Sequence, residues 1–498
     1  MIRNALQTWR GHDTEAALGE KTISYGELAR QAAVLQACLP CDLAGSIAAV
    51  YLPDGSDFLA ALFAVLQAGW AALPLSTRLK EKEVSDLVSR VPVKVVFTAK
   101  KLLSLCRKAV ENCQDTPLLL CTEEILLSDI RPLTIEEIRK SNSSVGPDST
   151  MLLLASSGTT GRAKLVCLSE ANIDYNVHTY LNHMGYELHG DAHPRYVLGT
   201  PFSGIYGLLV AFSCITRGFP MLSMADDFTL DSFYRAVQDF KLSHYEGGTL
   251  AALLICRTLD HPSCYDISTL KYFGFGGSKA PAGTLEHLSE AFPQIRFWSG
   301  YGMTEASPLI AQPFQVLPFE KLESVGVPLP GAEIRLETEG GLTDEPDSPG
   351  EIVVRGPNVM RGYYEDEEAT REIMRDGWLH TGDIGYFDKD GYLYICGRKK
   401  NMILVRGFNV YPEEVETCLI SCPLVKDCVV YGTEDEEGLE TVCADVVPAA
   451  DKVSLDSIRA WCASYLADFK CPRRIHLVEG INKTVTGKNK IDPEEIRH

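Results

Sequence analysis

Met151-Leu152-Leu153-Leu154-Ala155-Ser156-Ser157-Gly158-Thr159-Thr160-Gly161-Arg162-Ala163-Lys164 is an apolar run that passes into a loop of small hydroxyl residues and glycines and ends on a base. The run has the composition of a buried strand. Glycines let backbone N–H groups turn towards an anion, hydroxyls add donors, and a lysine supplies compensating charge. These residues suit a polyphosphate cradle better than a polar surface turn. Other signatures fail on the residues themselves. Gly487-Lys488 lacks the upstream glycine and following hydroxyl of a Walker loop. Lys279 stands where a dinucleotide fingerprint beginning at Gly274 needs its third glycine, and no Gly-x-Ser-x-Gly occurs.

A β-α-β rhythm extends outward from this segment. Thr22-Ile23-Ser24 predicts a short strand before a Ser24-capped helix towards Cys38, with Glu27 placed for a capping box. Ser46–Leu52 and Ala71–Leu75 read as strands around a helix over Asp57–Ala68 that Gly69 stops. The rhythm recurs at Val93–Thr98, Leu118–Cys121 and Val197–Ser223, which predicts an α/β architecture with largely parallel, buried strands. After about Glu320, short strands at Ala332–Glu337, Glu351–Arg355, Ile384–Phe387 and Tyr392–Cys396 predict a small antiparallel or barrel-like subdomain. Past Gly397, helices over Pro412–Leu419 and Leu455–Leu466 alternate with strands at Cys428–Tyr431 and Glu440–Val447. That stretch is long enough for a separate domain. Glu434-Asp435-Glu436-Glu437 reads as a solvated turn.

The 498 residues allow three or four folding units, and 45% hydrophobic with 23% charged residues excludes global disorder. Lys plus Arg number 47 against 67 Asp plus Glu, a net charge of −20 that repels nucleic acid and anionic lipid. Any anionic ligand therefore needs a local basic site. The first ten residues lack the unbroken apolar core of a signal peptide, so a cytoplasmic protein is expected. Val197–Thr216 is uncharged and near membrane-spanning length, but its Gly and Pro residues predict a strand, a loop and a core helix, with no integral membrane segment. Sixteen scattered cysteines predict reduced thiols, and Cys38-Leu39-Pro40-Cys41 lacks the second pair a zinc site requires.

With these residues in view, Ser156–Lys164 resembles the phosphate-binding signature of the adenylate-forming superfamily: acyl- and aryl-CoA ligases, free-standing adenylation domains and beetle luciferases. Five further segments resemble that family in order. Gly276-Gly277-Ser278 is similar to its adenine-binding turn. Ser299-Gly300-Tyr301-Gly302-Met303-Thr304-Glu305 is similar to the motif in which the tyrosine stacks on adenine, the threonine meets the α-phosphate and the glutamate helps hold Mg²⁺. Trp378–Asp383 resembles the segment whose aspartate, here Asp383, accepts both ribose hydroxyls. Gly397-Arg398-Lys399-Lys400 resembles the hinge, with Arg398 on the nucleotide and Lys400 at the pivot. Asn482–Lys488 resembles the loop whose last lysine, Lys488, bridges the substrate carboxylate and the α-phosphate. Two departures, Asn482 for the usual Pro and Ile491 for the usual Arg, lie beside the chemistry.

The resemblance implies a multidomain α/β fold. A large domain over 1–397 carries two mainly parallel sheets packed with helices and a β-rich subdomain at about 320–397. A hinge at 398–400 and a small mobile α+β domain over 401–498 follow. It implies ATP, Mg²⁺ and either CoA or a carrier-protein phosphopantetheine, a small carboxylic acid as substrate, and a monomer or homodimer. Asn401–Pro412 looks most like the thiol-tunnel segment of acyl-CoA ligases, which places Gly407 and Phe408 on the tunnel. Arg406, Lys470, Arg473 and Arg474 would offer a positive rim for CoA or an acidic carrier domain. Pro201–Gly207 corresponds to the gate of the acyl pocket, with Tyr206 beside it and Gly204 where the family often has His or an aromatic. Gly248-Thr249-Leu250 replaces the frequent Pro-Thr-Met. The expected activity is acid activation followed by thioester formation on CoA. A ligase loading a carrier protein and a non-catalytic binding protein are the alternatives.

Overall fold

The computed structural model describes residues 2–19, 22–40, 45–111, 113, 115–156, 163–183, 193–259, 264–277, 280, 283–313, 317–405, 408–434, 440–450 and 453–481. Two seven-stranded sheets form its frame. The first runs Gly362–Tyr363, Lys164–Ser169, Thr150–Ser156, Ala71–Pro74, Ile47–Tyr51, Val93–Thr98 and Leu118–Cys121. It is parallel from Thr150–Ser156 onwards and antiparallel over its first two pairings. The second runs Arg296–Ser299, Tyr272–Gly276, His244–Gly248, Tyr196–Leu198, Met221–Ser223, Glu15–Ala17 and Ile23–Ser24, parallel except for the last pairing.

Hydrophobic burial stacks these sheets into layers. The largest core joins helices Tyr25–Ala37, Ser56–Gln67, Glu170–His183 and Ile205–Arg217 to one face of each sheet, so the four helices lie between them. Every residue from Phe58 to Gln67 is buried, as expected of a helix covered on all sides. Each Leu or Phe there contributes roughly 1.5–3 kcal/mol. Helices Leu230–Phe240, Thr249–Arg257 and Thr284–Ala291 cover the outer face of the second sheet, and Glu81–Ser89 with Leu103–Val110 covers that of the first. The expected α/β class with parallel buried strands is what folds. The uncharged stretch resolves into strand Tyr196–Leu198, a loop and helix Ile205–Arg217. No helix among the described residues is long and apolar enough to cross a membrane.

Strands Glu333–Thr338, Gly341–Thr343, Gly350–Arg355, Met374–Arg375, Trp378–Phe387 and Leu393–Arg398 form an antiparallel sheet with its own apolar core. Strand Trp378–Phe387 is longer than the expected Ile384–Phe387, because a left-handed Gly382 (φ +70°) lets the chain irregularity sit inside the strand. The core of the C-terminal part is drawn from residues 403–475 alone: strands Val425–Glu434, Glu440–Pro448 and Arg474–Leu477 against helices Pro412–Ser421 and Leu455–Tyr465.

Two local expectations are corrected. Ser24 caps its helix by accepting from Glu27 N–H at 3.2 Å, but the Glu27 carboxylate turns to Arg30 and Gln31, so the capping box is half-built. Of the acidic turn, Glu434 ends a strand, and 435–437 lie outside the described residues. The described cysteines are free thiols; Cys41 lies outside them.

Candidate active site

The decisive strand and its return bring the candidate site together. Thr150–Ser156 pairs antiparallel with Lys164–Ser169 in a register that sets Ser156 opposite Lys164, and Ser156 Oγ donates to the Lys164 carbonyl at 3.4 Å. Ser157, Gly158, Thr159, Thr160 and Gly161 lie outside the described residues. Lys164 opens the second strand, and two further residues of that edge are paired by strand Gly362–Tyr363: Tyr363 sits opposite Val166. This register carries Tyr363 to the base. Lys164 Nζ stands 4.9 Å from the Tyr363 ring centre, a cation–π contact, and 3.8 Å from Glu372.

The Tyr363 hydroxyl donates to Glu305 Oε1 at 2.9 Å. Burial, and then the Glu305 charge, pushes the Tyr363 hydroxyl well above its ordinary pKa, so it stays a donor. Glu305 lies in the single turn Thr304–Ala306, held where Met360 N–H donates to its carbonyl at 2.9 Å. Its side chain is buried and forms no ion pair among the described residues. A carboxylate so placed, beside a lysine that would meet phosphate, suits a hard divalent cation with oxygen ligands. Glu305 therefore fits the expected Mg²⁺. Thr304 and Met303 are half-buried next to it, and Gly302 is exposed.

Tyr301 is buried, and its hydroxyl donates to Asp383 Oδ2 at 2.7 Å, while Arg398 Nε pairs with Asp383 Oδ1 at 2.6 Å. The antiparallel register sets Asp383 directly opposite Arg398. Three residues expected on the nucleotide thus form one chain, 301–383–398. Glu351 organises the segment around it, accepting from Gly382 N–H at 3.1 Å and pairing with Lys399 Nζ at 2.7 Å. Lys400, the expected pivot, is exposed in the turn Lys399–Asn401.

Gly276 ends strand Tyr272–Gly276 and Gly277 is left-handed (φ +87°), a conformation that favours glycine; Ser278 lies outside the described residues. Gly204 caps helix Ile205–Arg217, and a Cβ there would meet only the Pro201 carbonyl, at 3.5 Å. Tyr206 Oη donates to Glu246 Oε2 at 2.5 Å. Gly407, the Phe408 side chain and Lys488 lie outside the described residues. Of the expected basic rim, Lys470 is engaged by Glu414 at 2.8 Å, which leaves Arg473 and Arg474 exposed and Arg406 undescribed.

Tyr363, Glu351, Glu246 and Asp54 were missed by sequence reasoning. Asp54 takes the Phe202 N–H on both oxygens at 3.1 Å and the Ser223 hydroxyl at 3.2 Å, which fixes the start of 201–204. Burial raises its pKa from 3.8 to about 7 against those hydrogen bonds. The folded state therefore binds the proton more tightly than the unfolded chain. This contribution is complete below about pH 3.8 and is lost as pH rises through 7. Asp54→Asn should gain on the parent by about 2 kcal/mol between pH 5.5 and pH 8, read from urea midpoints at the two pH values. A constant gap would refute the assignment.

Tyr363→Phe keeps the ring under Lys164 and removes the bond to Glu305. The KM for Mg·ATP should rise several-fold, with a stability loss of about 1 kcal/mol. Initial-rate exchange at varied Mg·ATP checks this, and a fall in kcat alone would count against the positioning role.

The family model described as AMP-binding enzyme matches residues 6–364, and that described as AMP-binding enzyme C-terminal domain matches 414–488. A feruloyl-CoA synthase of Amycolatopsis sp is 31% identical over 485 residues, covering 96% of this chain and 94% of that protein. An oxalate–CoA ligase of Arabidopsis thaliana is 31% identical, covering 89% and 87%. O-succinylbenzoate coenzyme A synthetase from Bacillus subtilis, solved with ATP and magnesium ion, superposes with a TM-score of 0.83 at 25% identity, covering 98% of each chain. With both family models matched in order, the chain belongs to the AMP-binding enzyme family, the adenylate-forming superfamily of acyl- and aryl-CoA ligases.

Proposed function

We propose that this AMP-forming acid–thiol ligase activates a small aryl or medium-chain carboxylic acid and passes it to coenzyme A. A carboxylate oxygen attacks the α-phosphorus of ATP, the α–β bridging P–O bond breaks, and pyrophosphate leaves an acyl-adenylate. A thiol sulfur then attacks the acyl carbon, the C–O bond to AMP breaks, and the thiol proton goes to solvent. No protein nucleophile is needed. Catalysis is positioning plus neutralisation of charge on the α-phosphoryl oxygens.

The observation that carries the reading is Tyr363 joining Lys164 to Glu305. A base for phosphate and a carboxylate for magnesium are thereby held side by side. Mg²⁺, when bound by Glu305, supplies neutralisation of the triphosphate. Thr304 meets the α-phosphate, Ser156 and the loop after it cradle the β- and γ-phosphates, and Gly276, Gly277 and Tyr301 frame the base. Asp383 takes the ribose with Arg398 beside it, and Lys488 reaches the α-phosphate when the domain over 401–498 closes about the hinge at 398–400. Gly407 and Phe408 border the pantetheine path. The separate core of residues 403–475 supports a hinge there. The named relatives support CoA as acceptor and an aryl or short acid as substrate. ATP and CoA are cytosolic pools, and the reading includes that location.

ATP–pyrophosphate exchange over a panel of carboxylic acids, followed by mass detection of the CoA thioester, tests this. Exchange with thioester formed on CoA is expected. Transfer only to a phosphopantetheinylated carrier protein would replace the acceptor, and ATP binding without exchange for any acid would reduce the chain to a binding protein.

A further inference from the structure

Strand Gly350–Arg355 carries a glutamate at its second position, and Glu351 is only 5% exposed. The register sets it opposite Glu337 on one side and Ile384 on the other. Carboxylates facing each other across strands repel, so this pair needs compensation. Arg375 supplies one cation, 3.7 Å from Glu337 and 3.8 Å from Glu351. Its Nη2 also donates to His380 Nδ1 at 2.6 Å. A guanidinium only donates, so that ring nitrogen carries no proton and His380 is neutral here. The second cation is Lys399, whose Nζ stands 2.7 Å from Glu351 Oε2. It comes from the turn Lys399–Asn401, inside the proposed hinge.

The other carboxylate oxygen reaches the ribose seat. Glu351 Oε1 accepts from Gly382 N–H at 3.1 Å, and Gly382 is left-handed (φ +70°) immediately before Asp383. Asp383 in turn lies opposite Arg398, the residue before Lys399. One buried side chain thus holds the backbone before the ribose acceptor with one oxygen and the hinge with the other. Burial alone would raise the Glu351 carboxyl; Lys399 above all, and then Gly382 N–H, hold it below its ordinary value. A buried carboxylate is costly to leave without its partner. A turn of the hinge that draws Lys399 away leaves Glu351 with the more distant Arg375. Lys399 itself is half-exposed, so water can take its ammonium and a moving domain can break the tie.

We infer that Glu351 is a positioning residue that ties the proposed hinge to the ribose seat, its pairing with Lys399 weighting the small domain towards the arrangement seen here. This rests on the ligase reading above and names what governs the movement of its small domain. Attack on phosphorus and attack on acyl carbon need different groups at the same site, so one arrangement of the domain serves one half-reaction better than the other. Loosening the tie therefore shifts the ratio of the two half-reactions.

Glu351→Gln tests this, since the amide oxygen still accepts from Gly382 N–H and only the charge for Lys399 is lost. In the full-length protein, amide hydrogen exchange over 398–401 should quicken by about five-fold, the effect expected of one partly buried ion pair, while exchange over 352–355 stays as in the parent. ATP–pyrophosphate exchange and thioester formation from synthetic acyl-adenylate, measured separately, should change in ratio by a similar factor, with the KM for Mg·ATP held within about two-fold. Lys399→Met should reproduce these effects, the double variant should add nothing further, and Lys399→Arg should restore the parent values. Hinge amides that exchange no faster in Glu351→Gln would overturn the inference, as would equal loss of both half-reactions or a double variant whose effects add. Each of these leaves the ligase reading intact. Failure of the parent to exchange pyrophosphate with any carboxylic acid would instead overturn the ligase reading, and the hydrogen exchange of 398–401 would still decide the tie.

Discussion

Lys488→Ala is expected to slow ATP–pyrophosphate exchange by roughly 100–1,000-fold, the cost of removing one donor aimed at developing negative charge. As the carboxylate attacks, charge concentrates on the α-phosphoryl oxygens, and an ammonium that arrives only then lowers the barrier without tightening the ground state. The KM for ATP should therefore change little while kcat falls. The same variant given synthetic acyl-adenylate and CoA should form thioester at a rate within a few-fold of the parent, since the thiol attacks acyl carbon there and the attack on phosphorus, the step given to Lys488, is already past. Parallel loss of both half-reactions would contradict the role given to Lys488, and unimpaired exchange would remove it from the mechanism.

The segments whose meaning is local were legible. Met151–Lys164 displays its strand and its donors in one stretch, and the apolar runs Ser46–Leu52, Asp57–Ala68 and Ala71–Leu75 carry their own period, so strands and helices appear where expected. Tyr363 was not legible. Its value comes from pairing with Val166, from the base at Lys164 and from a carboxylate 58 positions earlier, all of them long-range register. Glu246 gave a partial signal as the one acidic residue between Leu242 and Gly248, but sequence cannot say which face of a strand meets two tyrosines from different helices. Asp54 reads as an ordinary turn residue until the fold brings Phe202 N–H onto it. Residues expected to do chemistry are picked out by type and spacing. Those that position them were hidden, because positioning is a property of packing.

Glu305→Gln removes a charge without removing a shape, and for that reason separates the two roles the site gives Glu305. The glutamine oxygen still accepts from Tyr363, so the turn Thr304–Ala306 and the ring under Lys164 should stay in place. Exchanging a buried carboxylate for an amide also relieves a desolvation cost, so the melting temperature should not fall. What is lost is an anionic oxygen ligand for a hard cation. We expect kcat/KM for Mg·ATP to fall by about 100-fold or more, and the magnesium concentration for half-maximal exchange to rise. Glu305→Asp, which restores the charge on a shorter stem, should recover part of the activity but lose the Tyr363 bond. A glutamine variant with normal magnesium dependence would show that the carboxylate serves only to hold Tyr363, and the metal would then have to be sought on other oxygens.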